Sequence, residues 1–482
     1  MNLAEYAAYD GLGLAELVRR REVTAKELGR LMVAAVEKVN PQINAVIQTY
    51  ADRVEAMRAD DLPSGPFAGA PFLLKDLGSG EKGAVQEAGS RLCRGRILKR
   101  DAFLIERFRA AGLSLLGRTT TPEQGLSSTT ESVLTGATRS PWNLSTRAGG
   151  SSGGAAASVA AGIVPIAHAS DGAGSIRIPA AVCGLVGLKP SRGRVSLGPG
   201  VNDPLMGMVV EFAVSRTVRD TAALLDAVSK PAPGDPFIIV QPRRPYLHEV
   251  GAPPGKLRIA WTRTSWQPGT KVHPEIVAAL EKSVAYLETM GHELTEVETL
   301  YDYETFVNAV WVGWAWGFDV WLDETAAALG RQVNEETLEP VTLSLYRMAQ
   351  ELTAAQVAHA EGVYNSIRRK VGHFFQGYDL LLTPTIAQLG DPIGKYSQNV
   401  TDVDFIGFFR RCDQSDMYLP LANLTGQPAI SLPLYQSDSG FPIGIQFVAH
   451  FGREDLLIRL ASALEIALPW HARIPPVHVS CA

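Results

Sequence analysis

The sequence predicts an α/β fold in which helices cover both faces of one large central sheet. Short apolar segments of strand length alternate with helical patterns through about residue 230, and strand-like segments return near the end of the chain. The 482 residues, 46% hydrophobic and 20% charged, suffice for a large core. No low-complexity linker interrupts the chain, so we predict a single domain over residues 1–482 whose sheet takes strands from both ends.

Four segments of this predicted domain have distinct patterns. Residues 1–65 have the amphipathic patterns of N-terminal helices. Residues 66–230 carry the alternating strands and helices and form the predicted core. Residues 275–375 are mostly helical and are predicted to be an insertion that covers the sheet and shapes its pocket. Residues 376–482 add strands and a closing helix, which complete the sheet.

One N-terminal helix has sequence signals at both ends. Thr24-Ala25-Lys26-Glu27 matches a capping box, in which two side chains accept hydrogen bonds from the first backbone N–H groups. Apolar residues then recur at helical spacing from Leu28 to Val39. Asn40-Pro41 predicts the end of the helix, because proline lacks the N–H that an interior position needs.

The composition excludes several classes of partner. A net charge of −5 gives no basic field for nucleic acid. The first residues lack the basic and apolar regions of a secretory signal, and no apolar stretch approaches the ~18 residues of a membrane span. We therefore expect a cytoplasmic protein, a monomer or a homodimer, that binds neither nucleic acid nor membrane.

Cysteine and histidine spacing predicts neither a metal site nor a disulfide framework. The four cysteines form no CxxC pair, and the nine histidines form no HxxxH or HExxH motif. His168 alone lies close in sequence to the serines described next, and we interpret it as a packed or hydrogen-bonded residue rather than a catalytic one. No cofactor is expected.

Two serines in glycine-rich turns are the most informative feature of the chain. Ser151 lies in Gly149–Gly154, and Ser175 follows one crossover later. Between them, the alanine-rich run 155–162 predicts a closely packed helix and the apolar run 163–169 predicts a strand. This arrangement brings both hydroxyl groups toward one pocket.

These segments offer the groups that cleavage of an unreactive amide requires. Ser175 is the predicted nucleophile. The N–H groups of Gly172, Ala173, Gly174 and Ser175 are predicted to turn toward developing negative charge. Lys75 ends an apolar strand, where desolvation lowers an amine pKa from its usual value of about 10.4 and leaves a neutral base. Ser151 is predicted to pass the proton between the other two side chains.

The same residues carry a resemblance to the amidase signature family. The motifs, which run in order over nearly the whole chain, are Lys75-Asp76, Gly149–Gly154, Asp171–Pro179, Gly184–Ser196 and Gly426–Pro433. Within the family, the chain resembles the 6-aminohexanoate cyclic-dimer hydrolase type through Asn143-Leu144, Ser175–Ala180 and Gly452–Leu457. The resemblance implies a large, mixed and twisted central sheet.

The resemblance also implies a role for each matched position. Lys75 matches the base, Ser151 the bridging serine with a cis peptide, and Ser175 the acylated nucleophile. The matched oxyanion turn comprises Gly172, Ala173, Gly174 and Ser175, and the supporting positions are Ser152, Ser170, Asp171 and Arg177. The family commonly has Asp-Thr-Gly-Gly-Ser where this chain has alanine at position 173, which keeps an N–H donor but narrows the available φ and ψ.

The implied activity is serine-dependent hydrolysis of small, apolar or aromatic, non-peptide amides without metal or cofactor. Esters and carbamates are also expected as substrates, because their hydrolysis passes through a similar tetrahedral oxyanion. Trp311, Trp314, Trp316, Phe318 and Trp321 are predicted to lie in one helix. These aromatic residues either pack in the hydrophobic core, or Trp311, Trp314 and Phe318 line a pocket for the acyl group.

Three alternatives remain at the level of sequence. Gly149–Gly153 also fits the GxSxG nucleophile elbow of α/β-hydrolases, but the polar residues 141–148 do not predict the strand that should precede it. The second is the glutamine-hydrolysing subunit of a tRNA-dependent amidotransferase complex, which tends to have Arg-Gln-Pro where this chain has Arg177-Ile178-Pro179. The third alternative is a non-catalytic binding protein on the same scaffold.

Overall fold

A computed structural model describes residues 1–58 and 64–481, in which eleven strands form one mixed sheet and helices cover both of its faces. The strands of the described residues, in chain order, are β1 Val46–Thr49, β2 Pro71–Lys75, β3 Ser114–Thr119, β4 Glu131–Ser132, β5 Gly136–Ala137, β6 Arg139–Ser140, β7 Asn143–Arg147, β8 Ile166–Asp171, β9 Val186–Lys189, β10 Val210–Ser215, β11 Arg258–Trp261, β12 Glu293–Glu296, β13 Leu380–Pro384, β14 Ala429–Gln436 and β15 Pro442–Ala449. The predicted fold class is confirmed.

The α-helices vary in length from 4 residues in α8 to 24 residues in α14. In chain order they are α1 Leu3–Ala8, α2 Gly11–Arg19, α3 Ala25–Ile43, α4 Ala51–Ala56, α5 Phe103–Ala110, α6 Gly153–Ala160, α7 Arg177–Cys183, α8 Pro204–Gly207, α9 Val218–Val228, α10 Pro274–Thr289, α11 Tyr303–Ala315, α12 Phe318–Leu329, α13 Pro340–Gln350, α14 Ala354–Gly377, α15 Phe405–Asp416, α16 Pro420–Thr425 and α17 Glu454–Ala467. α8 is a short turn in which Leu205 and Met206 have positive φ.

Strands from the N-terminal and C-terminal parts of the chain form the two halves of one sheet. Its order is β1-β3-β2-β8-β10-β9-β14-β15-β13-β11-β12. The N-terminal part joins the C-terminal part where β9 pairs antiparallel with β14, with Leu188 opposite Ile430. Near one end, β2 lies parallel to both β3 and β8. Because every residue of β2, β8, β9 and β10 is buried, the polar side chains on these strands lie inside the protein.

The N-terminal segment departs from its prediction in two places. The capping box at Thr24 is confirmed, since its side chain accepts from the Glu27 N–H. However, α3 continues through Pro41 to Ile43 and ends at Asn44, which has a left-handed backbone with φ 48°. Burial of Ile43, which is 0% exposed, favours this last turn. The segment also contributes an edge strand, β1, while residues 59–63 of the predicted helical segment lie outside the described residues.

Two further predictions about local structure are wrong. The aromatic residues do not share one helix, because the chain turns at Gly317, whose φ is 73°, and Phe318 begins α12. A strand, β7, does lie just before Ser151, but it pairs with β6 in a separate two-stranded sheet. β7 is therefore not the strand of the central sheet that a nucleophile elbow requires.

Candidate active site

A buried lysine and three serines form the centre of the candidate site. Lys75 is the last residue of β2 and is 1% exposed. Its Nζ lies 2.7 Å from Ser151 Oγ, 2.9 Å from Ser152 Oγ and 2.9 Å from Ser170 Oγ. No carboxylate of the described residues forms an ion pair with it. The amine is thus surrounded by neutral hydroxyl groups, each of which can donate or accept a hydrogen bond.

Burial changes the protonation of this amine. Desolvation lowers the pKa of Lys75 from 10.5 to about 7, although the negative charges of Glu211 and Asp171 oppose the change. A large fraction of the lysine is therefore neutral near pH 7. A neutral amine next to a hydroxyl group is what a general base requires.

His168 lies behind the lysine rather than in the cleft. Its Nδ1 accepts a hydrogen bond from the backbone N–H of Lys75 at 3.3 Å, and its Nε2 lies 3.1 Å from Glu211 Oε2. Since Nδ1 accepts, Nε2 carries the proton and donates to Glu211. Glu211 also accepts from the backbone N–H of Ser79. His168, on β8, therefore links the end of β2 to β10 through its two ring nitrogens. This agrees with its interpretation as a hydrogen-bonded residue.

The glycine-rich turn places Ser151 against the lysine. The peptide between Gly150 and Ser151 is cis. Thr121 donates to the Ser151 carbonyl at 3.0 Å, which fixes the turn at its other side. A Cβ added at Gly150 would lie only 2.4 Å from the Thr129 carbonyl oxygen, so a side chain does not fit there.

Ser175 is part of the wall of an adjoining cleft. The cleft has a volume of about 440 Å³, part of it open to solvent, and Ser175 and Gly125 both line it. A Cβ added at Gly125 would lie 3.3 Å from Ser151 Oγ, so Ser151 lies directly behind this wall. Ser175 Oγ forms no hydrogen bond with the described residues, including Ser151. The structure thus brings Lys75 and Ser151 into contact and leaves the Ser175 hydroxyl facing the cleft.

The turn before Ser175 uses one of its four N–H groups internally. Gly174 donates to Asp171 Oδ1 at 2.7 Å. The N–H groups of Gly172, Ala173 and Ser175 donate to no atom of the described residues. Gly174 has φ 127°, and a Cβ there would lie 2.6 Å from Leu419 Cδ1, so glycine is required for both reasons.

Asp171 holds this turn through a buried ion pair. Arg177 Nε and Nη2 donate to its two carboxylate oxygens, each at 3.0 Å. Arg177 also donates to Gln446 Oε1 and Asn423 Oδ1, each at 2.6 Å. Burial raises the pKa of Asp171, but the charge and hydrogen bonds of Arg177 outweigh it and hold the pKa at about 2. Sequence reasoning missed Asn423 and Gln446, although the Gly426–Pro433 motif lies just beyond Asn423.

One predicted pocket aromatic lines the cleft and two do not. Trp314 forms part of its wall, with the ring of Phe405 at 6.3 Å between centroids. Trp311 and Phe318 are not among the lining residues, and Phe318 instead packs near Trp321 at 6.2 Å. Because the helix ends before Gly317, Phe318 does not continue the stripe of Trp314. The remaining apolar wall includes Ala173, Leu126, Ile178, Phe409, Cys412 and Pro420.

Polar groups from α15 occupy another side of the cleft. Asp413 accepts from the Tyr303 hydroxyl at 2.9 Å, and Asp416 accepts from the Ser128 hydroxyl. Burial raises the pKa of Asp413 to about 8 and that of Asp416 to about 6. The cleft therefore combines aromatic side chains with carboxyl groups that take up protons near neutral pH.

Within residues 1–58 and 64–481, none of the helices has the length and hydropathy of a membrane span, and histidine, cysteine and acidic side chains nowhere form a group of three or more that could hold a metal ion. The model of the family described as Amidase matches residues 27–458. The chain therefore belongs to the amidase signature family, whose members are hydrolases that act on C–N amide bonds.

Individual relatives agree with this assignment. The chain is 39% identical over 482 residues to a 6-aminohexanoate-cyclic-dimer hydrolase of Paenarthrobacter ureafaciens, with 97% of this chain and 96% of that protein covered. It is 31% identical over 477 residues to an acylamidase of Rhodococcus erythropolis, with 96% of each covered. A solved structure of 6-aminohexanoate cyclic dimer hydrolase complexed with substrate matches with a TM-score of 0.91 and 37% identity, covering 98% of this chain and 99% of that one.

Proposed function

We propose that the protein hydrolyses small, apolar or aromatic amides through an acyl-enzyme on Ser175. The observation that carries this proposal is the 2.7 Å contact between the buried Lys75 amine and Ser151, directly behind the cleft that Ser175 lines. Neutral Lys75 is the base and Ser151 the relay. The N–H groups of Gly172, Ala173 and Ser175 are the proposed donors to the oxyanion.

The proton moves along these three side chains in both directions. Ser175 Oγ forms a bond to the amide carbon while its proton passes to Ser151 and the Ser151 proton passes to Lys75 Nζ. As the tetrahedral intermediate collapses, the C–N bond breaks and the leaving nitrogen takes a proton from Ser151, which Lys75 replaces. Water then attacks the acyl carbon with Lys75 again as base, and Ser175 is released with its proton restored.

The surrounding residues position these groups. Ser152 and Ser170 hold the Lys75 amine from two other directions, each at 2.9 Å. Asp171 and Arg177 keep the turn before Ser175 in place through the contacts described above. These four residues are proposed as positioning residues, because none of them lines the cleft.

The cleft supports a preference for apolar acyl groups. Trp314, Phe405 and Phe409 provide aromatic surface within reach of Ser175. The names of the relatives, a cyclic-dimer hydrolase and an acylamidase, point to non-peptide amides for this chain as well. We include esters and carbamates among the proposed substrates, since the same oxyanion donors serve all three.

The proposal is tested by labelling the purified chain with a fluorophosphonate and mapping the label by mass spectrometry. We expect the label on Ser175 and its absence in Ser175→Ala, which should fold but show no turnover of aryl amides. Ser145→Ala, which replaces an exposed serine, is the matched control and should keep full activity and labelling. Turnover by folded Ser175→Ala would contradict the proposal, and so would a requirement for further protein chains of the kind that an amidotransferase complex has.

A further inference from the structure

A second cleft lies beside α8, and α8 stands between this cleft and Ser175. It encloses about 770 Å³, part of it open to solvent, and shares no lining residue with the Ser175 cleft. α8 separates the two: Leu205 Cδ1 would lie 3.3 Å from a Cβ added at Gly172, whereas Met206 lines the second cleft. The second cleft is therefore adjacent to the proposed catalytic centre without being part of it.

Two arginines stand side by side in this cleft. Arg192 and Arg368 both donate to the carbonyl of Leu424, at 2.8 and 3.0 Å, and both line the cleft. Arg192 also donates to the Gly207 carbonyl, and Arg368 to that of Met206. Neither arginine forms an ion pair with a carboxylate of the described residues. Burial, and next the charge of Arg368, lower the pKa of Arg192 to about 10 although the charge of Asp203 opposes the change, so an anion between the two arginines would relieve the remaining repulsion.

Each guanidinium keeps one NH₂ group free of hydrogen bonds to the described residues. The Nη1 groups of Arg192 and Arg368 donate to no atom of the described residues, and they are not among the buried atoms that lack a partner. They are thus accessible to solvent while the opposite sides are fixed by backbone carbonyls. Two fixed guanidinium groups with free N–H donors suit an oxyanion, because such charge-assisted hydrogen bonds are the strongest that side chains form.

The rest of the lining indicates what the anion is attached to. Phe237 lies beside Arg192, and the exposed fraction of Trp316, 56%, is large for a tryptophan. These rings offer apolar surface to an organic group. Asp203 and Glu361 also line the cleft and oppose any anion there, and they oppose a phosphate dianion more strongly than a monoanion.

We propose that this cleft binds an organic monocarboxylate, with its carboxylate between Arg192 and Arg368 and its apolar part against Trp316 and Phe237. The acids that amide hydrolysis releases belong to this chemical class. The site does not include Ser175, so a failure of the proposed acylation would not contradict it.

Calorimetric titration of the full chain with benzoate, hexanoate and inorganic phosphate tests the proposal. We expect saturable binding of both carboxylates, weaker binding of phosphate, and the same affinities in Ser175→Ala. Arg368→Gln should weaken benzoate binding by about tenfold or more through the loss of a charged donor. Arg369→Gln removes the neighbouring exposed charge, which is outside the cleft, and should leave the affinity unchanged.

A second variant keeps the test decisive if Arg368→Gln does not fold. Trp316→Ala leaves the arginine contacts intact and should weaken benzoate binding while leaving phosphate binding unchanged. Three results would overturn the proposal: no saturable binding of either carboxylate, tighter binding of phosphate than of benzoate, or an unchanged benzoate affinity in folded Arg368→Gln or in Trp316→Ala.

Discussion

Two basic side chains are buried in the candidate site, and their surroundings differ. Lys75 is in contact with the hydroxyl groups of three serines and forms no ion pair with a carboxylate of the described residues. Arg177 instead forms a two-point ion pair with Asp171. The residues lie close together, since Lys75 ends β2 and Asp171 ends β8, the next strand of the sheet.

The difference shows how one buried site can hold one group that changes protonation and another that keeps its charge. Hydroxyl groups can donate or accept, so they accommodate an amine that changes protonation, and burial holds the pKa of Lys75 near 7. A carboxylate fixes the charge of its partner, and the pKa of Asp171 falls to about 2 in spite of burial. Lys75 is therefore the group that titrates, whereas the Asp171–Arg177 pair stays ionised and holds the turn.

The largest expected effect follows from removing the titrating amine. Lys75→Met keeps a long side chain in place but removes the proposed base, so kcat/KM for an aryl amide should fall by about 10²- to 10⁴-fold. Lys189→Met is the matched control: burial also lowers the pKa of Lys189 to about 7, but its Nζ donates to the Pro190 carbonyl and to no serine. Steady-state kinetics should show only a small loss for the control; equal losses would remove the distinction between the two lysines.

Removing the fixed charge should act on stability. Arg177→Met leaves the buried Asp171 carboxylate without its partner, so the free energy of unfolding should fall by about 3–5 kcal/mol in urea denaturation. Arg347→Met breaks an exposed ion pair with Glu335, which solvent screens, and should leave the free energy of unfolding nearly unchanged. If the two variants lose similar stability, Arg177 does not have the structural role assigned to it.

The parts of this site that the sequence predicts are those with local signals. Lys75 ends a continuous apolar strand, and Ser151 and Ser175 lie in glycine-rich turns on either side of a helix and a strand. Their positions follow from secondary structure and from the connection between neighbouring elements. Asn423 contacts Asp171 although 252 residues separate them in the chain. Only the strand order of the complete sheet brings these two residues together.

The wrong predictions have a related physical cause. Pro41 does not end α3, because Ile43 is buried against the core and outweighs the missing N–H of proline. Helical spacing continues through the tryptophans, but Gly317 turns the chain with a positive φ. In both places tertiary packing or backbone conformation overrides a periodic pattern. The aromatic wall from α15 was missed because its members lie far along the chain from Trp314.

A smaller effect is expected in the pH dependence of the wild-type protein. Below pH 7, each unit of acidification should lower kcat/KM by about tenfold, because Lys75 with a pKa of about 7 becomes protonated. Ser170→Ala removes an oxygen that stabilises the ammonium form, so the pKa of Lys75 and the midpoint should shift to lower pH. Ser170→Thr retains the hydroxyl group and should restore the midpoint. A flat profile through about pH 7 would exclude Lys75 as the titrating base.

The smallest effect is expected at the aromatic wall, which lies outside both buried networks. Trp314→Ala enlarges the cleft, so the ratio of kcat/KM for an aromatic amide to that for a short aliphatic amide should fall by about tenfold. Because both rates are measured on one folded variant, its lower stability cancels in the ratio. Trp311→Ala changes a tryptophan of the same helix that does not line the cleft and should leave the ratio unchanged. Equal ratios in both variants and the wild type would show that Trp314 does not determine the preference among acyl groups.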